Sequence, residues 1–266
     1  MDRIRATAMS AAVLGATALG IRFGLARQAA IARRRIGKPL GEDALAVDRV
    51  WRPRLPGEPV DLLILGDSIA AGLGATRPKE TLAGRLAKGL ATRTGRPVRL
   101  RSLAVVGSES PDLAAQLDRL ASGDRADAAV IIVGGNDVTH RIPVGESVRH
   151  LVEAIRQLQE RGVRVVVGTC PDLGALRPVP QPLRTLASRL SRRLAEAQAE
   201  GAERAGAASV SLRRTVGPLF LDEPEQMFSL DRFHPSALGY RRTADALLPA
   251  VAAALEVSER QGTVSP

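Results

Sequence analysis

The sequence has few cysteines, aromatic residues and histidines, and each shortage excludes a class of site. Its one cysteine, Cys170, excludes an internal disulfide and any metal site built from several thiolates. One Trp, one Tyr and four Phe among 266 residues leave little aromatic surface for stacking unpaired bases. The sequence also shows no cluster of metal-ligating residues, so the pattern does not predict a metal site.

The positive charge of the chain is concentrated at its N-terminus. The formal net charge is +10, of which residues 1–54 carry +7, from eleven basic and four acidic residues. The rest of the chain is nearly balanced, with 27 basic against 24 acidic residues. A nucleic-acid-binding domain concentrates basic charge on its folded part, so this distribution argues against a nucleic-acid partner.

The overall composition is that of a folded protein. Hydrophobic residues make up 45% of the sequence and charged residues 25%, close to the average for globular domains. These values exclude wholesale disorder, a collagen-like chain and a multi-pass membrane protein. The length suits one large hydrophobic core.

The N-terminal segment resembles a membrane-associated helix. Residues 6–26 are apolar apart from Arg22, long enough to cross a bilayer, and a basic run ending at Lys38 follows. Because positive flanks tend to stay in the cytoplasm, we expect one N-terminal anchor with the following domain on the cytoplasmic side, in contact with membrane through residues 6–38. An amphipathic soluble helix, or a signal peptide cleaved after residues 16–18 followed by secretion, are the alternatives.

The sequence divides into four regions. Residues 1–38 form the N-terminal helix and basic run, and residues 39–59, rich in proline, read as a linker. Residues 60–256 form the folded domain, and residues 257–266 form a tail.

Apolar runs alternate with helical leucine spacing throughout the folded domain. Residues 60–65 form a continuous apolar run, as expected of a strand buried on both faces. The further strand candidates are residues 97–106, 128–133, 163–167 and 207–212. A last helix begins near Ser236, a natural N-cap, and Pro249 is expected to kink or split it. The repeated strand–helix pattern predicts an α/β fold with three layers, α/β/α, around a five-stranded parallel sheet.

Ligands of such sheets bind beyond the carboxyl ends of the strands, where this sequence places a serine and a histidine. Ser68 follows the first strand, and a serine hydroxyl becomes a nucleophile when a base takes its proton. His234 is the candidate base, because Asp231, three residues earlier, can orient its imidazole. His150 reads as a solvated helix residue, and His140 has no carboxylate at a helpful spacing.

The same strand ends offer hydrogen-bond donors for an oxyanion. The backbone N–H of Ser68, the backbone N–H of Gly107 and the side-chain amide of Asn136 follow the first, second and third strands. Each glycine or Asn-Asp pair alone is explained by a turn or a cap. Their joint occurrence favours an active site.

These residues carry a resemblance to a known family. The ordered set Gly66-Asp67-Ser68-Ile69, Gly107, Gly134-Gly135-Asn136-Asp137 and Asp231-x-x-His234-Pro235 resembles the four sequence blocks of the SGNH hydrolases, also called GDSL-type esterases and lipases. Two departures occur: Ile69 replaces the leucine of the family name, and Ser102 stands near an asparagine of the second block.

The resemblance implies a flavodoxin-like fold and an ester hydrolase that uses no cofactor. It implies that Ser68 is the nucleophile, His234 the base and Asp231 its orienting carboxylate. It further implies that Gly107 and Asn136 join the Ser68 N–H as oxyanion donors. The substrate would be a small-molecule or lipid-derived ester.

Other functions stay open at this stage. A non-catalytic ligand-binding or membrane-tethered module on the same fold would keep these residues without hydrolysis. A nucleotide-binding protein is disfavoured because Gly72-Leu73-Gly74 completes neither a dinucleotide fingerprint nor a P-loop. Two segments could wall an acyl pocket or cover the sheet edge: residues 171–182 and residues 217–230, the latter with Phe220, Met227 and Phe228. No sequence feature specifies an oligomeric state.

Overall fold

The computed structural model describes residues 2–39, 41, 43–121 and 123–262. For residues 2–16, 18 and 257–262 it describes the backbone alone. Residues 263–266 of the predicted tail therefore lie outside the described residues, whereas residues 257–262 continue the last helix.

Strands and helices alternate along the chain from residue 49 onward. The strands are β1 (Arg49–Trp51), β2 (Val60–Gly66), β3 (Val98–Ser102), β4 (Ala128–Ile132), β5 (Arg164–Gly168) and β6 (Ala208–Val210). The helices are α1 (Asp2–Ile36), α2 (Ser68–Ala71), α3 (Leu82–Thr94), α4 (Leu113–Leu117), α5 (Gly135–His140), α6 (Val144–Glu160), α7 (Leu183–Arg204), α8 (Leu212–Thr215), α9 (Gly217–Asp222), α10 (Pro224–Met227) and α11 (Ala237–Gly262).

The strands form one sheet in the order β1-β3-β2-β4-β5-β6. The five strands β2 to β6 pair in parallel, as predicted, so their carboxyl ends lie at the same edge of the sheet. The chain passes from β2 to β3 on one side of β2 and then crosses to β4 on the other side, so the direction of strand addition reverses at β2. A reversal of this kind opens a crevice at the carboxyl ends, and Ser68 follows the central strand β2 directly.

The two faces of the sheet bury alternate residues of each strand. Ile64 of β2 packs with α3 and α11 on one face, and Leu65 packs with α4 and α6 on the other. Strands β2, β4 and β5 are buried on both faces, which explains their continuous apolar runs, whereas β3 and β6 are partly exposed. The predicted three-layer α/β/α architecture is confirmed.

Strand β1 corrects the interpretation of residues 39–59 as a linker. It pairs antiparallel with β3 and adds a sixth strand at the edge of the sheet. Trp51 is buried in the core, and its indole N–H donates to the Val47 carbonyl oxygen at 3.2 Å. Three residues are too few to show a periodic pattern, and the pairing partner lies 50 positions along the chain, so local sequence did not reveal this strand.

Helix α1 docks on the folded domain through its C-terminal half. Ala32 is buried against Leu173 and Leu176, and the Gln28 side-chain oxygen accepts a hydrogen bond from the Leu183 N–H at 2.9 Å. Across the described ranges, no helix combines the length and the apolar character that crossing a bilayer requires. The location of the protein stays a prediction.

Helix α11 begins as the sequence predicts. The Ser236 hydroxyl accepts hydrogen bonds from the N–H groups of Leu238 and Gly239, at 3.2 and 3.1 Å, and so caps the helix. The helix continues through Pro249 and is not split there. This long helix covers one face of the sheet and begins three residues after His234.

Candidate active site

A tight turn between β2 and α2 presents Ser68. Gly66 has a φ of +128°, and a Cβ there would lie 1.8 Å from the Ile132 carbonyl oxygen of the neighbouring strand, so only glycine fits. Asp67 then caps α2 by accepting a hydrogen bond from the Ile69 N–H at 2.9 Å. The turn therefore places Ser68 at the first position of a short helix, at the carboxyl edge of the sheet.

The Asp231 carboxylate organises the loop that carries His234. One oxygen, Oδ1, accepts from the Ser229 hydroxyl at 2.9 Å, the Phe233 N–H at 2.9 Å and the His234 N–H at 3.0 Å. The other, Oδ2, lies 2.6 Å from His234 Nδ1. The three hydrogen bonds to Oδ1 hold the carboxylate in place, and the contact from Oδ2 orients the imidazole ring of His234.

Ser68 and His234, 166 positions apart in sequence, meet at the sheet edge. The distance from Ser68 Oγ to His234 Nε2 is 2.9 Å, within reach for proton transfer. Asp231 and Ser68 are buried, and the His234 side chain is 12% exposed. The three sequence-predicted residues thus form one continuous hydrogen-bonded chain.

The electrostatics of this chain favour an ionised Asp231. Burial alone would raise the pKa of its carboxyl, but hydrogen bonds from the His234 side chain and from the His234 and Phe233 amides outweigh burial and lower that pKa to about 2. A carboxylate facing Nδ1 keeps the proton on that nitrogen and leaves Nε2 free to accept one from Ser68.

The predicted oxyanion donors differ in position, because Gly107 is not among the described residues that line the cavity with Ser68 and Asn136. Ser68, Asn136 and His234 line one cavity, and one amide hydrogen of Asn136 is used in a 2.9 Å hydrogen bond to the Ser108 carbonyl oxygen. The second amide hydrogen stays available. Gly107 precedes Ser108 in an exposed turn, and within the described part of the chain its N–H has no hydrogen-bond acceptor.

Two buried carboxylates that the sequence interpretation passed over support this region. Asp67 is fully desolvated, and burial raises the pKa of its carboxyl to about 6, against opposing hydrogen bonds from the Ile69 and Gly135 amides. Asp137 accepts from the Ser110 N–H with both oxygens, at 3.2 and 3.1 Å. Together they fasten the start of α5, which carries Asn136, to the turn that bears Ser68 and to the segment between β3 and α4.

The cavity beside Ser68 is mostly apolar. Its volume is about 70 Å³, and its walls include Leu173, Leu176, Val216, Phe220 and Phe228. Leu173 and Leu176 come from segment 171–182, Phe220 and Phe228 come from segment 217–230, and Val216 directly precedes the second segment. Of the three large residues predicted in the second segment, Phe220 and Phe228 line the cavity, whereas Met227 is buried in the core.

The other candidate residues lie elsewhere. Cys170 is buried against Leu194 and Ala195, and His140 is exposed and pairs with Glu109; neither lines the cavity as the described residues define it. His150 contacts Arg149 on α6. No group of three or more metal-ligating side chains occurs within the described ranges, and the cofactor-free chemistry stays a prediction.

The structure also explains the Gly72-Leu73-Gly74 pattern. A Cβ at Gly74 would lie 2.5 Å from the Pro235 carbonyl oxygen and 3.1 Å from the His234 Cβ, so this glycine lets the histidine loop approach the serine loop. Tyr240 of α11, fully buried, donates to the Leu73 carbonyl oxygen at 2.6 Å and ties the same two segments together. The pattern serves packing.

Comparison with known proteins places this geometry in a family. Residues 64–242 match the model of the GDSL-like lipase/acylhydrolase family. The GDSL-like esterase Rv1075c of Mycobacterium tuberculosis is 41% identical, over 94% of this chain and 82% of that protein.

Solved structures share the fold at lower identity. LAE5, an alpha/beta hydrolase enzyme from the metagenome of Lake Arreo, Spain, has a TM-score of 0.59 at 22% identity, covering 74% of this chain and 96% of its own. A catalytic mutant of an acetylxylan esterase from Geobacillus stearothermophilus has a TM-score of 0.57 at 19% identity, covering 74% and 95%. Since the family model spans most of the folded domain and the curated relative nearly the whole chain, the protein belongs to the GDSL-like lipase/acylhydrolase family and is a carboxylic ester hydrolase.

Proposed function

We propose that Ser68, His234 and Asp231 carry out ester hydrolysis through an acyl-enzyme. The observation that carries the proposal is the 2.9 Å contact between Ser68 Oγ and His234 Nε2 at the wall of an apolar cavity. A serine hydroxyl in water is a weak nucleophile, and an oriented base within hydrogen-bond distance is the arrangement that activates it.

The reaction then runs in two halves. Ser68 Oγ attacks the ester carbonyl carbon while His234 Nε2 takes the hydroxyl proton. The resulting oxyanion accepts hydrogen bonds from the Ser68 N–H, the Gly107 N–H and the free amide hydrogen of Asn136. His234 returns the proton to the leaving alcohol as the carbon–oxygen bond breaks, and a water activated by His234 releases the acid from Ser68.

The test is the substitution Ser68→Ala, assayed with p-nitrophenyl acetate. We expect kcat to fall by about 10⁴-fold or more, because without the nucleophile only residual oxyanion stabilisation remains. A fluorophosphonate should label the unaltered protein at residue 68 and leave the variant unlabelled. An unaltered protein that is neither active nor labelled would instead support the non-catalytic module.

The cavity volume supports short acyl groups as the substrate class. An apolar protein cavity of about 150 Å³ holds benzene, which has six carbons. A cavity of about 70 Å³ has roughly half that room, enough for an acyl group of about two to four carbons. Phe220 and Phe228, which pack edge to face at 5.0 Å, form part of the wall that a longer chain would meet.

A series of p-nitrophenyl esters from acetate to decanoate tests this assignment. We expect kcat/KM to peak at two to four carbons and the peak to move to longer chains in Phe228→Ala. Phe23→Ala, which truncates an exposed phenylalanine on α1, is the matched control and should leave the profile unchanged. A peak at eight or more carbons in the unaltered protein would contradict the assignment.

The N-terminal helix supports a proposal about location. Leu19 and Phe23, one turn apart on α1, are 69% and 76% exposed, and Arg22 and Arg27 are exposed beside them. Apolar side chains next to cations suit the surface of an anionic membrane, where each cation adds roughly 1 kcal/mol.

Sedimentation with vesicles tests the location. The protein should pellet with vesicles containing anionic lipid, more weakly with neutral vesicles, and less in Leu19→Ser/Phe23→Ser than unaltered. Leu230→Ser, at an exposed leucine of the folded domain, is the control. Equal recovery in the supernatant with and without anionic vesicles would reject the proposal, without bearing on ester hydrolysis.

A further inference from the structure

The three oxyanion donors come from three separate segments of the chain. Ser68 follows β2, Gly107 lies in the turn after β3, and Asn136 opens α5. Stabilisation of an oxyanion requires donors held in place before the reaction, because reorganising them during the reaction costs rate. A structural connection between the segments must therefore exist.

Gln116 of α4 makes that connection. Its side-chain oxygen accepts from the Gly66 N–H at 2.9 Å, and its amide nitrogen donates to the Gly66 carbonyl oxygen at 2.9 Å. The same nitrogen donates to the Ser108 hydroxyl at 3.0 Å. Both amide hydrogens are thus used, and Gln116 is only 2% exposed.

The connection extends to the third donor through Ser108. Its carbonyl oxygen accepts a hydrogen bond from the Asn136 amide at 2.9 Å, so Ser108 accepts hydrogen bonds from both Gln116 and Asn136. Ser108 directly follows Gly107, and Gly66 lies two residues before Ser68. One buried amide therefore links the backbone leading to the nucleophile with the turn that bears Gly107 and the side chain of Asn136.

We propose that Gln116 is a positioning residue for the oxyanion site: its amide, bonded to Gly66 and Ser108, fixes the relative placement of the Ser68, Gly107 and Asn136 donors. The inference rests on the proposed function, since the donors matter only if an oxyanion forms. Gln116 does not line the cavity as the described residues define it, so it acts through Ser108 and the backbone of Gly66.

A matched control exists at the next strand ends. Gln198 of α7 is also fully buried, accepts from the Cys170 N–H at 2.7 Å and donates to the Val133 carbonyl oxygen at 3.0 Å. It joins β4 to β5 with no bond to Ser108. Methionine at either position keeps the approximate volume and removes the amide.

The experiment compares Gln116→Met with Gln198→Met. A displacement of a catalytic group by about 1 Å costs about 10²-fold in rate, so we expect kcat for p-nitrophenyl acetate to fall about 10- to 100-fold in Gln116→Met, with KM within threefold of the unaltered value. The affinity for a trifluoromethyl ketone, which forms a tetrahedral adduct, should fall by the same factor. Gln198→Met should change kcat by less than threefold at a comparable loss of thermal stability.

A second variant keeps the test decisive if Gln116→Met does not fold. Ser108→Ala removes only the hydroxyl that Gln116 contacts, and we expect a fall in kcat of about threefold to tenfold. Where both variants fold, kcat in the double variant should be no lower than in Gln116→Met alone, because the two side chains share one hydrogen bond.

The inference would be overturned if the kcat of Gln116→Met stayed within threefold of the unaltered value, or if kcat fell equally in the two glutamine variants. Where Gln116→Met does not fold, an unchanged kcat in Ser108→Ala would overturn it. The Ser68→Ala assay separates this failure from that of the proposed function. If Ser68→Ala is inactive while Gln116→Met retains full kcat, the ester hydrolase mechanism stands and the role of Gln116 does not.

Discussion

The two sides of the active site are built differently. On the triad side, one loop of the chain supplies Asp231 and His234 together, and four hydrogen bonds to one carboxylate hold them. On the proposed oxyanion side, the candidate donors follow three different strands, and a separate buried residue, Gln116, bonds to Gly66 and Ser108 beside two of them. A local motif thus places Asp231 against His234, whereas contacts between distant segments place the proposed donors.

The largest expected effect lies on the triad side. In Asp231→Asn, an amide nitrogen can face His234 Nδ1, which favours the tautomer that cannot accept the Ser68 proton. We expect kcat to fall by about 10⁴-fold, measured at pH 7.5 with p-nitrophenyl acetate. Asp222→Asn, at an exposed carboxylate on α9, is the control and should be unaffected. A loss below tenfold would show that the carboxylate does not set the tautomer.

On the oxyanion side, Asn136→Ala should cost less. It removes one donor to the oxyanion and the bond to the Ser108 carbonyl oxygen, and loss of one such donor costs about 10²- to 10³-fold in kcat. Thr139→Ala, on the same short helix, removes only a hydroxyl that donates to the Asn136 backbone oxygen. If the two variants lose equally, Asn136 serves the helix and not the oxyanion.

The buried Asp67 gives the oxyanion side a pH dependence in stability. Because its pKa is raised from 3.8 to about 6, the folded state binds this proton more tightly than the unfolded state between those values. Its contribution to the free energy of unfolding should therefore fall by about 2 kcal/mol as the pH rises from 4 to 7. Asp231, with its pKa lowered to about 2, works in the opposite direction and only at more acidic pH.

Urea unfolding of the unaltered protein and of Asp67→Asn across that pH range measures the effect. As the pH rises from 4 to 7, the free energy of unfolding of the unaltered protein should fall steadily relative to that of Asp67→Asn. A constant difference would mean that Asp67 keeps its ordinary pKa.

The smallest expected effect is at Gly107. Its φ is +87°, and a Cβ there would meet no atom within 4 Å among the described residues, so alanine adds backbone strain without a clash. Strain of roughly 1 kcal/mol would shift the turn and lower kcat/KM about threefold to tenfold. Gly145→Ala, at an unobstructed glycine in α6 without positive φ, should leave the rate unchanged. Equal rates in both variants would remove Gly107 from the donor set.

Sequence patterns predicted the two sides to different extents. Asp231 and His234 lie three residues apart and Ser68 follows a continuous apolar run, and their joint occurrence with Gly107 and Asn136 carried the family resemblance that pointed to them. Gln116 sits in a five-residue helix among leucines and alanines, where a glutamine reads as an ordinary helix former. Its partners, Gly66 and Ser108, lie 50 and 8 positions away, and no local signal marks the longer contact.

The edge strand β1 and the cavity show the same limit. Trp51 enters the core because the segment Arg49–Trp51 pairs with the open edge of β3. The sheet topology provides that edge, and the proline-rich sequence around the segment gives no sign of the pairing. Phe220 and Phe228 line the cavity while Met227, one residue before Phe228, faces the core. Short helices turn their side chains in directions that composition does not specify.

The sequence by itself determined the alternation of strands and helices and the parallel sheet, and it pointed to Ser68, His234 and Asp231 as candidates for nucleophile, base and orienting carboxylate. The fold follows from periodicity, and the candidates follow from motifs at strand ends and from the three-residue spacing of Asp231 and His234. Only the tertiary structure decided which strand closes the sheet, how large the cavity beside Ser68 is and which buried amide bonds to Gly66 and Ser108. Each of these depends on contacts between distant segments, whose distances arise when the layers pack.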